Sequence, residues 1–254
     1  MNGELVTGNG HDKLYPSQMF ILALDTASNA GGIALSRNSE VIGVLMAKTP
    51  LKYSEKLIDW IDFLLKQHEI KVGDIGCFSV AAGPGSFTGL RIGVAAAKAF
   101  GQATGRPVFA ISSLEALAFR FRQLATLVAP VVDARRQQIY AAVYDTSGRE
   151  PSLRQSEEAG RPEEWLKRLP EDNYLFAGDG ALLYRSTILN LLPRSRVIES
   201  DNCVLPELCQ LAYLRHAGGL QTEAGAVKAN YIRPPDVRLH SEAGGKTVRG
   251  GHEA

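Results

Sequence analysis

Between Gly89 and Gly105 a small residue recurs at every fourth position: Gly89, Gly93, Ala97, Gly101 and Gly105. The run before it, CFSVAAG, is apolar as a buried strand requires, and Gly83-Pro84-Gly85-Ser86 reads as a turn. A helix from about Phe87 to Thr104 on this spacing has one face almost free of side chains. Glycine inside a helix costs about 1 kcal/mol relative to alanine, so the stripe needs a close backbone-to-backbone contact to offset it. The chain's own sheet or a second subunit would serve, and the spacing leaves both open.

The turn itself is a weaker signal. A glycine-rich loop before a helix can present backbone N–H groups to a phosphate. Here the third glycine falls one place late for G-x-G-x-x-G, and Leu90-Arg91 stands where a P-loop needs Lys-Ser/Thr. Ser86 lacks the G-x-S-x-G frame of a nucleophile elbow. A tight turn that seats a helix is the favoured reading.

The chain around this segment repeats one plan. FILALDTA, GGIALSR and EVIGVLMAK read as a three-strand meander, followed by a helix over Tyr53–His68, the strand CFSVAAG, the striped helix, the strand PVFAIS and the helix SLEALAFRFR, capped by Ser112 or Ser113. The plan begins again with LVAPVVDA and QIYAAVYD, then a weaker strand, PEEWLKRL, YLFAGDG, ALLYRSTILNLL, RVIES and PELCQLAYLRHAGG. A meander followed by alternating helices and strands, given twice, predicts an α/β protein of two related halves. The expected division is a disordered leader over 1–18, a first half over 19–112, a second half over 113–222, and a C-terminal segment with a flexible tail over 223–254.

Among 254 residues, 28 Lys and Arg stand against 27 Asp and Glu, so a basic nucleic-acid surface is not expected. Three cysteines, Cys77, Cys203 and Cys209, have no metal-ligand spacing and suit a reducing cytoplasm. No run reaches the ~18 apolar residues that span a bilayer. His68, His216 and His240 are isolated, while His11 and His252 lie in the terminal stretches, so neither a metal nor a cofactor is expected.

Two features could carry function. Asp25 (with Thr26) and Asp133 each close a strand before a hairpin, and could hold a metal–nucleotide complex between the halves. Gly178 and Gly180 are the only candidates for an adenine site, whereas a plain turn-closing aspartate weighs equally. In the first long helix, Leu57, Ile61, Leu64, Leu65 and His68 form a core stripe, and Ile58, Trp60 and Phe63 widen the apolar arc beyond what one sheet face needs. The surplus predicts a second contact, with a partner or with the other half.

FILALDTASNAGGIALS, AAGPGSFTGLRIGVAAAKAFG and VVDARRQQIYAAVYD together resemble the TsaB (YeaZ) family of tRNA threonylcarbamoyladenosine biosynthesis, over about 19–220. The resemblance implies an actin/Hsp70/sugar-kinase type fold of two ribonuclease H-like halves with mixed five-stranded sheets. It also implies a non-catalytic accessory subunit that pairs with a TsaD-type catalytic paralogue and a TsaE-type ATPase in modifying adenosine 37 of tRNAs reading ANN codons, with tRNA bound only indirectly. TsaD-type chains carry a His-x-x-x-His metal pair near the first helix. Here the region reads Tyr53-Ser54-Glu55-Lys56-Leu57, and Tyr53 stands where TsaB-like chains often keep one histidine.

In that family the helix pair after the hairpin sheet contacts TsaD, or a second copy in a homodimer. The implied interface is Leu57, Trp60, Ile61 and Leu64 with Gly89, Gly93, Ala97 and Gly101. On this expectation Gly93→Leu or Ala97→Glu leaves a folded chain that no longer binds its partner. The competing expectation is an ATP-binding or ATP-hydrolysing enzyme of the same fold, using Asp25 and Asp133.

Overall fold

A computed structural model describes residues 18–48 and 53–233. The expected leader, apart from residue 18, and the tail from 234 onward lie outside the described residues. The first half comprises β1 (Phe20–Asp25), β2 (Gly31–Arg37), β3 (Glu40–Ala47), α1 (Tyr53–Gln67), β4 (Ile75–Gly83), α2 (Phe87–Thr104), β5 (Val108–Ser112) and α3 (Ser113–Arg120). Its sheet has the order β3-β2-β1-β4-β5. The meander pairs antiparallel, and β4 and β5 join parallel through helical crossovers.

The second half repeats this arrangement with β6 (Leu127–Asp133), β7 (Ile139–Asp145), β8 (Ser152–Gly160), α4 (Pro162–Leu166), β9 (Tyr174–Ala177), α5 (Asp179–Leu183), α6 (Arg185–Leu191), β10 (Arg196–Val197) and α7 (Leu205–Ala217). Its sheet order, β10-β9-β6-β7-β8, is the first order with each strand replaced by its counterpart. Two mixed five-stranded sheets flanked by helices are therefore observed. The single helix expected over ALLYRSTILNLL is broken at Tyr184, and RVIES contributes only a two-residue strand.

Three apolar clusters hold these layers. Leu22, Leu24, Ile33 and Phe78 pack with α1 and α2 on the outer face of the first sheet. Phe176, Val131 and Trp165 pack with α4 to α6 outside the second. The largest cluster lies between the sheets and is built on α3 and α7. Those helices are exchanged: α7, last in the second half, packs on β1, β2 and β4, while α3, last in the first half, packs on β6 and β7 as well as on β4 and β5. The halves thus share one continuous interior, which ties their relative placement to core packing.

The C-terminal segment adds a strap to this frame. Ala224 and Val227 are buried in the first half's outer core. The Val108 N–H donates to the Thr222 carbonyl, and the Asn230 N–H donates to the Ala82 carbonyl at 2.7 Å.

Candidate functional site

The striped helix α2 is seated by its N-cap, where Ser86 Oγ accepts from the Gly89 N–H, and ends at Gly105 in the left-handed region (φ 66°). Its stripe, Gly105 apart, faces inward. A Cβ on Gly89 would lie 1.9 Å from the Thr26 carbonyl oxygen, and one on Gly93 would lie 2.5 Å from Thr26 Oγ1. A Cβ on Gly101 would meet Val108 at 2.3 Å, and Ala97 is fully buried. The close contact that the stripe demands is made with the chain's own first half. Gly89, Gly93, Ala97 and Gly101 therefore seat α2 against the first half and do not present a surface. The expectation that Gly93→Leu or Ala97→Glu leaves the fold intact is corrected accordingly: each would force a side chain into occupied space.

The α1 residues divide in the same way. Leu57, Ile61 and Leu64 are buried at 2%, 3% and 4% exposure against β2 and β3, and belong to the core. Trp60 is half-buried, its ring edge-on to Tyr53 at 6.3 Å. Toward solvent α1 presents Ile58 and Phe63, 60% and 53% exposed, among the exposed Glu55, Lys56 and Asp59 and the Lys66–Asp62 ion pair. On α2 the exposed residues include Arg91, Ala95, Ala99 and Ala103, again spaced by four. This outward alanine row escaped the sequence reading, because it runs beside the glycine row and only packing distinguishes the two. The i, i+4 spacing of the alanines was its available signal.

A cavity of about 260 Å³ lies between the halves, lined by Ser28, Asn29, Gly85, Ser86, Ser113, Asp133, Arg135, Tyr140 and Asn202 among others. The structure places Asp133 at this cleft and buries Asp25 beneath it, away from the lining. Each aspartate closes its hairpin by the same contact. Asp25 Oδ1 accepts from the Ala27 N–H at 2.9 Å, and Asp133 Oδ1 from the Arg135 N–H at 2.9 Å. Asp25 also takes the Ser28 N–H and hydroxyl, and Asp133 Oδ2 is paired with the Arg135 guanidinium at 3.2 Å. Burial raises the Asp25 carboxyl above its ordinary value against the lowering pull of those Ser28 and Ala27 contacts.

Thr26 is turned away from the cleft, its hydroxyl donating to the Gly89 carbonyl. Gly178 and Gly180 do not line the cavity either; a Cβ on Gly178 would meet the Val131 carbonyl oxygen at 2.4 Å, and one on Gly180 the Val132 carbonyl carbon at 2.8 Å. They let α5 lie on β6 as Gly89 lets α2 lie beside β1.

Tyr53 occupies a buried place beside the first hairpin turn. A Cβ on Gly31 would fall 2.5 Å from both the Tyr53 hydroxyl and the Asp25 carbonyl oxygen. Burial, with the Asp25 carboxylate nearby, raises the phenol's pKa. Among the described residues no three His, Cys, Asp or Glu side chains are grouped to hold a metal ion.

The family model for TsaD, tRNA N6-adenosine threonylcarbamoyltransferase, matches residues 32–195. The tRNA threonylcarbamoyladenosine biosynthesis protein TsaB of Bacillus subtilis is 32% identical over 232 residues, covering 91% of this chain and 98% of that protein. Its counterpart in Haemophilus influenzae is 29% identical, covering 77% of this chain and 86% of that protein. YeaZ from Pseudomonas aeruginosa superposes with a TM-score of 0.68 at 29% identity, covering 84% of this chain and all (100%) of that one. This chain belongs to the TsaB (YeaZ) family, whose members act in the biosynthesis of tRNA threonylcarbamoyladenosine.

Proposed function

We propose that this chain is a non-catalytic accessory subunit that docks a TsaD-type catalytic partner on the outward face of α1 and α2. In this reading it supports that partner, together with a TsaE-type ATPase, in forming threonylcarbamoyladenosine at position 37 of tRNAs reading ANN codons. The observation that carries the proposal is the division of the two helices into a sealed inner face and an outer face on which Ile58 and Phe63 stand exposed among the charged residues of α1 while α2 offers a row of small side chains. Ile58 and Phe63 flank α1, and Ala95, Ala99 and Ala103 form a row along α2 on which a partner helix can approach closely.

Two further observations support an accessory role over an ATP-using one. The Asp25 carboxylate is committed to three donors of its own turn, and Asp133 to Arg135. A carboxylate so engaged has little capacity left for a hydrated metal. The near balance of 28 basic and 27 acidic residues favours contact with tRNA through the partner.

Reconstitution tests the reading. TsaD-type and TsaE-type proteins are assayed for modified adenosine with this chain, without it, and with an Ala95→Arg, Ala99→Arg double variant. The expected result is modification with the wild-type chain and its loss in the other two assays. Equal modification without the chain would overturn the accessory role. Full activity of a folded double variant would overturn the docking face.

A further inference from the structure

We infer that Arg233 is a latch that holds a strained wall of the interlobe cleft, so that the seating of the C-terminal segment decides where Arg135 stands. The wall is the tip of the β6–β7 hairpin. Arg135, Arg136 and Gln137 all lie in the left-handed region, with φ of 62°, 53° and 58°. Three successive residues with a Cβ in that region are disfavoured, since each Cβ crowds the carbonyl oxygen that follows it. Glycine is the residue that relieves such a turn, and none occurs between Ala134 and Gln138.

Something outside the turn must hold it. Within it, the Ala134 N–H donates to the Gln138 carbonyl at 2.9 Å and the Gln138 N–H to the Arg135 carbonyl at 3.0 Å. The Asp133 carboxylate takes the Arg135 N–H. From outside comes Arg233, whose guanidinium donates to the Ala134 carbonyl oxygen at 3.2 Å and to the Gln138 side-chain oxygen. The same group sits over the Tyr140 ring, 5.7 Å from its centroid. One cation therefore grips both ends of the strained turn and the strand beneath it. Ala134, Arg135 and Tyr140 line the cleft, so this grip sets one of its walls.

The latch is carried by a segment that is anchored in the first half and also touches the second. Asn230 is bonded to Ala82 through its backbone and to Glu157 through its side chain. Tyr231 packs against Phe87 at the first turn of α2, the rings tilted by 42° with centroids 4.9 Å apart. The strap thus runs from the start of the docking helix to the hairpin tip. A displacement of the strap at α2 would release the tip.

Hydrogen–deuterium exchange on the full chain tests the latch without any partner, so it stands or falls separately from the docking reading. The amides of Ala134, Arg135 and Gln138 are followed in wild type, Arg233→Ala, Gln137→Gly and the double variant, with β1 amides reporting global stability. Losing the charge-assisted bonds should speed tip exchange about tenfold or more in Arg233→Ala while β1 is unchanged. Gln137→Gly should slow it again in the double variant by easing the strain. Tip exchange within about twofold of wild type in Arg233→Ala would overturn the latch. Failure of the glycine to recover protection would overturn the strain. If Arg233→Ala lowers β1 protection too, Arg233→Gln, which keeps a donor and part of the stem, gives the same comparison.

Discussion

The Thr26 hydroxyl donates to the Gly89 carbonyl at 2.6 Å, inside a contact so close that a methyl group on Gly89 would fall 1.9 Å from the Thr26 carbonyl oxygen. This pair joins the first hairpin turn to the first turn of α2. It explains why two residues singled out for different reasons, one as a nucleotide-site candidate and one as an interface candidate, serve a single purpose. Both seat the helix, and the opposite face of that helix, with Arg91, Ala95, Ala99 and Ala103, is exposed.

Gly89→Ala should therefore destabilise the chain by about 3 kcal/mol or more, because backbone lies on both sides of the clash and cannot yield as a side chain would. Gly105→Ala is the contrast. It has open space around its Cβ position and φ of 66°, so only the left-handed conformation is penalised, at about 1 kcal/mol. Urea denaturation of the two variants checks the difference.

On the outer face the expected pattern is the reverse. Ala99→Glu and Phe63→Ser change exposed residues and should leave stability within about 0.5 kcal/mol. Binding to a TsaD-type partner should weaken about tenfold or more, since a bulky charge interrupts close helix approach and an apolar anchor is lost. Calorimetric titration, with the denaturation midpoint recorded on the same samples, separates docking from folding.

Asp25 makes a pH-dependent prediction. Its pKa is raised in the fold by burial, so the native state holds a proton more tightly than the unfolded chain. The contribution is fully present below the unfolded carboxyl value and is lost as pH rises through the native one. Asp25→Asn keeps an oxygen for the Ala27 and Ser28 N–H groups but does not ionise. As pH rises above about 4, the ordinary carboxyl value, the urea midpoint of wild type should fall relative to that of the variant. Parallel profiles would contradict the assignment.

The cysteines offer a check on the shared interior. Burial pushes the Cys77 and Cys209 thiols up to about 12, and both belong to the cluster between the sheets. At pH 8 only about one in 10⁴ is thiolate. A native-state thiol titration should show neither reacting until the halves unfold, and rapid modification of either would mean that the α3–α7 layer opens readily.

Much of this was legible in the amino-acid order. The limits expected for α2 are those observed, and Ser112 caps α3 through the Leu114 and Glu115 N–H groups. Strand alternation and cap residues act over a few positions, so local sequence carries them. The break at Tyr184 was not legible, because ALLYRSTILNLL keeps a helical pattern across it. Nor was the role of residues 222–233, which lack periodicity yet place Ala224 and Val227 in the core and Arg233 on the hairpin.

The four-residue stripe with which α2 announces itself shows where the division falls. By itself the sequence determined that this helix must lie against something at backbone distance, that the plan occurs twice, and that Asp25 and Asp133 hold equivalent turns. Only the tertiary structure decided that the glycine row faces Thr26 and Val108 while Ala95, Ala99 and Ala103 face outward. Periodicity assigns residues to faces of a helix, but what covers each face depends on contacts between distant segments. Those contacts are settled by how the whole chain packs.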